Sequence, residues 1–262
     1  MKLLVDGDIV AYRTAMSLEH AIEWEEGFWT LHSDVDECTS EISNYLSWLL
    51  EEVEEATEIV VALTDKDNFR KQINSEYKAN RKDKRKPLAL KGIREFLEKE
   101  YGAIVWPSLE ADDVIGILAT RYEMVDKCVV VSPDKDLLQI PGYHFIDGSL
   151  EHRRIDDCDK WHMFQTLTGD ATDNYKGCPG VGPVKAEKIL PPSDKDLSEI
   201  TRFGDLIEHQ HKKRWMWTKV LEAFDKAGLG EEEAIENARL SYILRNENYN
   251  DKEVTQWEPP TI

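Results

Sequence analysis

Short apolar runs alternate with helical patterns through the first half of this chain. The runs lie at 2–6 (KLLVD), 58–63 (EIVVAL), 103–106 (AIVW) and 127–132 (KCVVVS). Between them, at 41–53 and 114–122, apolar residues recur at intervals of three and four, which is typical of helices with one buried face. Runs this continuous indicate strands that are buried on both sides. The alternation therefore predicts an α/β fold with a central, mostly parallel twisted sheet flanked by helices.

The pattern changes near residue 160. From WHMFQTL (161–167) to ARLSYILRN (238–246) it is helical, with breaks at the glycines and prolines of 177–183 and at Pro191-Pro192. We therefore predict an α/β core at 1–159 and a helical part at 160–262. No run approaches the roughly 18 apolar residues of a membrane span, and MKLLVDGDIV is charged too early for a signal peptide. We expect a cytoplasmic protein that does not contact membranes.

Charge is distributed unevenly along the chain. The net charge of −19 argues by itself against a nucleic-acid partner. Between Lys66 and Arg94, however, there are eleven Lys/Arg and three Asp/Glu. This basic segment in an acidic chain fits a protein that binds a polyanion in one place and metal ions in another; a solvated basic helix is the alternative. The four cysteines include no C-x-x-C pair, so we expect reduced thiols and no structural zinc site.

Acidic residues follow three predicted strands directly and also begin a predicted helix. With 52 acids in 262 residues, one such acid is uninformative, and Asp112 and Asp113 also suit a helix N-terminus. Repeated placement at strand carboxyl ends is more specific, because ligand sites of parallel sheets form there. The groups are Asp6 and Asp8; Asp65 and Asp67; Glu110, Asp112 and Asp113; Asp134 and Asp136; and, farther along, Asp170 and Asp173.

Clustered carboxylates indicate hard divalent cations. Unless cations neutralised them, gathered acids would have raised pKa values, and oxygen ligands suit Mg²⁺ or Mn²⁺. Two such ions can activate water and stabilise the leaving oxygen of a phosphodiester. The sequence has neither G-x-S-x-G nor a P-loop that would indicate a competing chemistry.

Two further segments suggest contacts with nucleic acid. In FRKQINSEYKANRKDKRKP, Tyr77 is placed to stack on a base, and Lys78 and Arg81, which share a face if helical, are placed to contact a phosphate. The alternative is a core tyrosine among solvated cations. The glycine hairpin at 177–190 (GCPGVGPVKAEKIL) predicts either a clamp on the duplex backbone or a plain helix–turn–helix corner.

Five motifs taken together resemble the flap-endonuclease superfamily of 5′ nucleases. They are VDGD, TDKDNFRKQINSEYKANR, LEADDV, SPDKDLLQIP and GDATDNYKGCPGVGP, in the family's order. The likeness is closest to the phage 5′→3′ exonucleases that remove primers and resect duplex ends. It extends through ARLSYILRNENYNDKEVTQWEP and thus covers essentially the whole chain.

The resemblance assigns roles to individual residues. It implies catalytic cations at Lys78 and Arg81, base stacking at Tyr77, and a helical arch within about 76–100, centred on Lys82–Lys91, that admits the 5′ strand. It also implies a helix–three-turn–helix motif at 177–190 that grips duplex DNA, with a K⁺ site. The implied ligands of two Mg²⁺ (or Mn²⁺) ions are Asp6, Asp65, Glu110, Asp112, Asp113, Asp134, Asp136, Asp170 and Asp173. The implied DNA contacts are Tyr77, Lys82, Lys84, Arg85, Lys86, Gly180, Gly182, Lys185 and Lys188.

The sequence departs from the family pattern at two kinds of position. Val184 follows Pro183 where the family has lysine, so the lysine comes one place later. Asp8 and Asp67 have no family counterpart, and we assign them to positions behind the metal ligands or to solvent.

The leading hypothesis is a monomeric 5′→3′ exonuclease of phage replication and recombination. Its expected substrates are duplex DNA with 5′ ends or flaps and RNA–DNA hybrids, and a single-stranded-DNA-binding protein is a candidate partner. The protein would work in the host cytoplasm. One alternative is a non-catalytic duplex-DNA-binding protein on the same scaffold. An RNA-directed nuclease of the PIN-like group is disfavoured, because that group does not need the glycine hairpin.

Overall fold

A computed structural model of the chain describes residues 1–82, 84–190 and 205–260, and only the backbone of 205–208. Asp83 of the predicted arch and the predicted break at Pro191-Pro192 lie outside these ranges. The helices are α1 (Gly7–Ser17), α2 (Val35–Glu52), α3 (Arg70–Ile73), α4 (Leu90–Glu100), α5 (Ala111–Ala119), α6 (Ile155–Thr168), α7 (Pro183–Ile189), α8 (Asp205–Lys226) and α9 (Glu231–Ser241). The strands are β1 (Lys2–Asp6), β2 (His20–Glu25), β3 (Phe28–His32), β4 (Glu58–Ala62), β5 (Cys128–Val131), β6 (Gly142–Ile146), β7 (Ser149–Arg153), β8 (Tyr249–Asn250) and β9 (Glu253–Val254).

The chain forms two compact units. The first comprises 1–67, 84–137 and 142–152; the second comprises 68–83, 138–141 and the residues from 153 onward. Residues 68–83 therefore belong to the second compact unit. The predicted functional core at 1–159 includes them. That functional boundary stays a prediction.

A five-stranded sheet forms the centre of the first unit. Its order is β4-β1-β5-β6-β7, with β1 parallel to both β4 and β5, and β5 parallel to β6. Val5 of β1 lies opposite Val61 and Val131, so apolar runs pair with apolar runs. Side chains from α1, α2 and α4 pack into the same core as these strands. The predicted α/β class with a mostly parallel sheet is confirmed.

Two features of the first unit differ from the prediction. The run at 103–106 is not a strand, since Ile104 makes an isolated parallel bridge to Ala62 in the described structure. A hairpin of β2 and β3 was missed, because it contains no apolar run and its alternation is interrupted by a bulge between Glu23 and Glu25. Its aromatic residues Trp24 and Trp29 are mostly exposed.

The second unit is largely helical. Helix α6 packs against α7, α8 and α9, and Trp217 and Phe224 of α8 are fully buried. The short helix α3 joins this unit through Arg70, whose Nε donates to the Leu240 carbonyl (3.0 Å) and whose Nη2 donates to that of Tyr242 (2.6 Å). The predicted helical character of the part after residue 160 is confirmed for the described residues up to Ser241, whereas the tail contains the short strands β8 and β9.

Two other expectations concern the cysteines and the membrane. All four cysteines are free thiols, as predicted, and all four are buried. Within the described ranges, no helix has both the length and the apolar character needed to cross a lipid bilayer.

Candidate active site

Asp6 lies at the carboxyl end of the central strand β1 and is 3% exposed. It is the N-cap of α1: Oδ1 accepts hydrogen bonds from the backbone N–H groups of Asp8 and Ile9, both at 3.1 Å. Its Oδ2 accepts from Ser132 Oγ at 3.2 Å. Burial, together with the nearby charges of Asp8 and Asp134, raises the pKa of Asp6 to about 7. A bound cation would stabilise the ionised carboxylate of Asp6.

Gly7 allows α1 to begin so close to the sheet. A Cβ on Gly7 would lie 2.5 Å from Val61 Cγ1 and 2.8 Å from the Ala62 carbonyl oxygen. A larger residue would push the first turn of α1, and with it the Asp6 cap, away from β4. The glycine of VDGD therefore has a steric function that sequence pattern alone did not identify.

Asp8 is held by groups that the sequence analysis did not select. Its Oδ1 pairs with the Arg94 guanidinium of α4, and its Oδ2 accepts the Thr64 N–H at 2.7 Å. Arg94 also donates to the Thr64 carbonyl at 2.7 Å. These contacts connect α1, the residues that follow β4, and α4 beside Asp6. No spacing in the sequence links positions 8 and 94, because the contact is tertiary.

Asp65 and Asp134 lie beyond the carboxyl ends of β4 and β5, the two strands next to β1. Asp65 Oδ2 accepts the Ser108 N–H at 2.8 Å, and this bond lowers the pKa of Asp65. Asp134 is half-buried; its N–H donates to Ser132 Oγ (3.1 Å), and its Oδ1 accepts the Asp136 N–H (2.9 Å). Ser132 thus connects Asp6 to the loop that carries Asp134 and Asp136.

The third acidic group caps α5. Glu110 is the N-cap residue and forms a reciprocal capping box with Asp113, whose carboxylate accepts the Glu110 N–H at 3.3 Å. Asp113 is fully buried, and Asp112 is half-buried. Ala111 N–H also donates to Thr64 Oγ1 at 3.0 Å, which fixes the start of α5 beside the end of β4. Capping and metal binding are compatible roles for these acids.

In the second unit, Asp173 lies at the centre of a cluster with Tyr77, Lys78 and Arg81. Tyr77 Oη donates to Asp173 Oδ2 at 2.9 Å, Lys78 Nζ lies 3.4 Å from the same oxygen, and Arg81 pairs with Oδ1. Lys78 N–H also donates to the Asp173 carbonyl at 2.9 Å. The two predicted catalytic cations therefore meet at one predicted metal ligand.

This cluster corrects two expectations about the basic segment. Lys78 and Arg81 do not share a helix face, because Lys78 has left-handed backbone (φ 55°) and precedes a 3₁₀ turn at Ala79–Arg81. Tyr77 is 3% exposed and packs with Tyr175 and Leu240, so it offers no free face for base stacking. The alternative of a core tyrosine fits this structure better.

Asp170 begins the loop that leads to Asp173. Its Oδ1 accepts the Thr172 N–H at 2.6 Å, and its backbone exchanges two hydrogen bonds with Tyr175. The flanking glycines, Gly169 and Gly177, touch backbone to backbone: a Cβ on Gly177 would lie 2.3 Å from the Gly169 nitrogen. Both have positive φ (66° and 64°), so this loop requires glycine for two reasons.

In its described residues before α4 begins at Leu90, the predicted arch contains the 3₁₀ turn at Ala79–Arg81 but no α-helix. Arg85 pairs with Glu19, whose carboxylate also accepts the Leu88 N–H at 2.8 Å. The other predicted arch contacts, Lys82, Lys84 and Lys86, are exposed. Proline at 87 and low apolar content explain why this segment does not form a helix.

In the glycine hairpin, Gly182 is the N-cap of α7 and Pro183 occupies its first position. Gly180 has φ 72°, and Lys185 Nζ donates to its carbonyl at 2.7 Å. Lys185 therefore braces the turn, while Lys188 is exposed on α7. The duplex and K⁺ contacts of this motif stay predictions.

The donor chemistry fits a hard divalent cation. Asp6 is a buried carboxyl beside Asp8 and Asp134, and all the predicted ligands offer oxygen. Across 1–82, 84–190 and 205–260, no three His, Cys, Asp or Glu side chains are close enough to hold one ion. Several carboxylates are instead turned toward N–H or cationic partners, as for Asp8 and Asp173.

Residues 1–157 match the family model described as 5′-3′ exonuclease, N-terminal resolvase-like domain. Over 98% of its length the chain is 32% identical to an exodeoxyribonuclease of Enterobacteria phage T3, covering 92% of that protein. It is 31% identical to an exonuclease of Escherichia phage T7, with coverage of 98% and 93%. The fold is similar to that of a T5 5′-exonuclease with bound zinc ions (TM-score 0.53, 15% identity, 93% and 98% of the two chains covered).

Proposed function

We propose that this chain, which belongs to the 5′-3′ exonuclease family, is a divalent-metal-dependent nuclease that removes nucleotides from 5′ ends of duplex DNA and RNA–DNA hybrids. We further propose that it cuts 5′ flaps and acts as a monomer in phage replication and recombination, with a single-stranded-DNA-binding protein as a candidate partner. The main support is Asp6, a buried carboxyl at the carboxyl end of the central parallel strand, beside Asp8 and Asp134.

The predicted acids would hold two Mg²⁺ or Mn²⁺ ions. Such ions, when bound, supply an activated water and stabilise charge on the leaving oxygen. The protein holds the acids in place: the α1 cap and Ser132 orient Asp6, and Ser108 orients Asp65. Glu110, Asp112, Asp113, Asp134 and Asp136 are the other proposed ligands of the first unit, and Asp170 and Asp173 are those of the second.

Lys78 and Arg81 are proposed to stabilise negative charge on the scissile phosphate. Both contact Asp173 in the structure, which keeps two flexible cations at one position. A phosphate brought to this cluster would share them with Asp173. The Tyr77 hydroxyl would continue to hold the carboxylate by its hydrogen bond.

Substitution of single acids tests the proposal. We expect Asp134→Asn and Asp112→Asn to lower cleavage of 5′-labelled duplex in Mg²⁺ by at least about 100-fold, while duplex binding in EDTA persists. Asp126→Asn is the matched control, because Asp126 is an exposed acid that precedes the amino end of β5. This variant should cut normally. Near wild-type cleavage by either active-site variant would contradict the assignment of these acids.

The same assay distinguishes a non-catalytic DNA-binding protein, which would bind duplex but release no label in Mg²⁺. Blunt, flapped and RNA–DNA substrates of one sequence, with products sized on one gel, would separate exonuclease from flap cleavage. If the RNA–DNA hybrid alone gives no product, the protein does not remove RNA primers.

A further inference from the structure

A groove in the second unit lies between the glycine hairpin and α8. It encloses about 580 Å³ and is bordered by Gly180, Lys188, Trp215, Lys219 and Lys226, among other residues. The hairpin side was expected to contact DNA, whereas nothing in the sequence pattern pointed to α8. Helix α8 therefore forms a wall of the groove to which the sequence pattern assigned no function.

The groove is strongly basic. Lys185 and Lys188 line it from α7, Lys219 and Lys226 line it from α8, and Glu222 is the one acid among its bordering residues. This local excess of positive charge occurs in a chain of net charge −19. Such a concentration of cations indicates an anionic ligand rather than an apolar one.

Glu222 holds both α8 lysines. Its two carboxylate oxygens accept hydrogen bonds from Lys219 Nζ at 2.8 and 2.9 Å, and Oε2 lies 4.0 Å from Lys226 Nζ. The hydrogen bond from Lys219 lowers the pKa of Glu222, so its carboxylate is charged at neutral pH. Trp215 lies under the same lysine, with Nζ 5.9 Å from the ring centroid.

The spacing of the lysines suits an extended polyanion. Lys219 and Lys226 are seven residues apart, about 10.5 Å along a helix, although both ammonium groups lie within 4.0 Å of Glu222 Oε2 in the free protein. Released from Glu222, the two side chains can reach separate phosphates of one strand. Lys185 and Lys188 are three residues apart, about 4.5 Å along α7. A small anion would engage one of these pairs, whereas a phosphodiester backbone can follow the whole groove.

We propose that α8 forms the second wall of a duplex-backbone groove, in which Lys219 and Lys226 contact phosphates and Glu222 restrains both lysines until DNA binds. The proposal rests on the proposed function, since it takes duplex DNA as the ligand. Helix α8 thereby has a role in DNA binding, and the Glu222 carboxylate competes with the phosphates for the same lysines. Removal of that carboxylate should strengthen binding, which a merely structural ion pair would not do.

Equilibrium binding of a fluorescent duplex in EDTA tests the groove. We expect Lys219→Gln and Lys226→Gln each to weaken binding by roughly threefold to tenfold, and to lower the slope of log affinity against log salt by about one. Glu222→Gln should tighten binding by about threefold. In the Glu222→Gln background, Lys219→Gln should weaken binding more than it does alone, because the freed lysine makes the stronger contact.

The exposed pair Lys2–Glu58 provides matched controls. Lys2 Nζ lies 2.9 Å from Glu58 Oε2 at the amino ends of β1 and β4, and both side chains are about as exposed as Lys219 and Glu222. Lys2→Gln and Glu58→Gln should leave duplex affinity unchanged. Circular dichroism and thermal unfolding of every variant would confirm that it is folded.

Three outcomes would overturn the proposal. They are unchanged or weaker binding by Glu222→Gln, unchanged binding by both lysine variants, and equal effects on a single strand of the same length. Cleavage by the wild type in Mg²⁺ is measured in parallel. If cleavage fails while the binding effects hold, the nuclease proposal is wrong and the groove stands; if cleavage holds and the binding effects fail, the groove alone is wrong.

Discussion

At the scale of single residues, Asp6 connects stability with activity. Burial raises its pKa to about 7 from an ordinary value of 3.8, so the folded state binds this proton more tightly than the unfolded chain. The resulting stability is present below about pH 4 and is lost as the pH rises through about 7. At the pH of the cell, Asp6 is therefore a destabilising residue in the absence of a bound cation.

We expect Asp6→Asn to stabilise the protein while it abolishes cleavage. Asparagine retains the N-cap of α1 but carries no charge. In EDTA at pH 8 the variant should unfold with a free energy higher by on the order of 2–4 kcal/mol, and the difference should vanish near pH 4. Urea unfolding at both pH values measures this.

Asp34→Asn is the control, because Asp34 also caps a helix, α2, but is exposed. It should change stability little at either pH. Equal stability of Asp6→Asn and wild type at pH 8 would show that Asp6 is not under electrostatic stress.

The sequence predicted where three acids lie on the sheet but not which groups hold them. Asp6, Asp65 and Asp134 follow continuous apolar strands, so the parallel sheet necessarily brings their backbones to one edge. Arg94 and Ser108 could not be predicted, because they reach this edge through a helix and a loop that are distant in sequence. Tyr77 was assigned to base stacking from its basic neighbours, whereas tertiary packing buries it.

At the scale of elements, the tight loop between α6 and α7 depends on glycine. We expect Gly177→Ala to destabilise the protein by more than about 2 kcal/mol, since it adds a backbone clash to the strain of positive φ. Gly228→Ala isolates the strain: its φ is 78°, and nothing lies within 4 Å of the added Cβ. Thermal unfolding compares the two.

The Gly228 variant should lose only about 1 kcal/mol. Similar losses from both substitutions would mean that the loop moves apart to accommodate a methyl group. Cleavage should fall with Gly177→Ala alone, because the loop it closes carries Asp170 and Asp173.

The success of element prediction depended on burial. Strands β1, β4 and β5 were predicted because the sheet interior requires apolar residues at consecutive positions. The β2–β3 hairpin has no such requirement, since most of its side chains are exposed. The arch was expected to be helical from resemblance, yet the segment before Leu90 has a proline and few apolar residues. The described residues 78–82 and 84–86 are exposed or half-buried, so they offer no apolar face to stabilise a helix.

At the scale of the whole molecule, the excess of acidic residues should make the stability of the protein respond more to divalent cations than to ionic strength alone. We expect MgCl₂ to raise the melting temperature on the order of 3–8 °C more than NaCl at matched ionic strength, through binding to the folded state alone. Differential scanning fluorimetry with and without EDTA measures this. Asp6→Asn should lose most of the Mg²⁺ effect, and equal responses to the two salts would exclude tight metal binding.

The anchoring of α3 by Arg70 has a consequence for biosynthesis. The carbonyls that accept its hydrogen bonds belong to residues 240 and 242, so both bonds span at least 170 positions of the chain. During translation the sheet strands up to β7 emerge well before these acceptors, and contacts so distant in sequence form late. A nascent chain therefore holds α3 without these two acceptors until residue 242 has been made. Lys78 and Arg81 follow α3 directly in the chain, so their contacts with Asp173 are expected to become fixed only after α9 has left the ribosome. The nuclease activity proposed for this chain would then be one of the last properties that the new protein acquires.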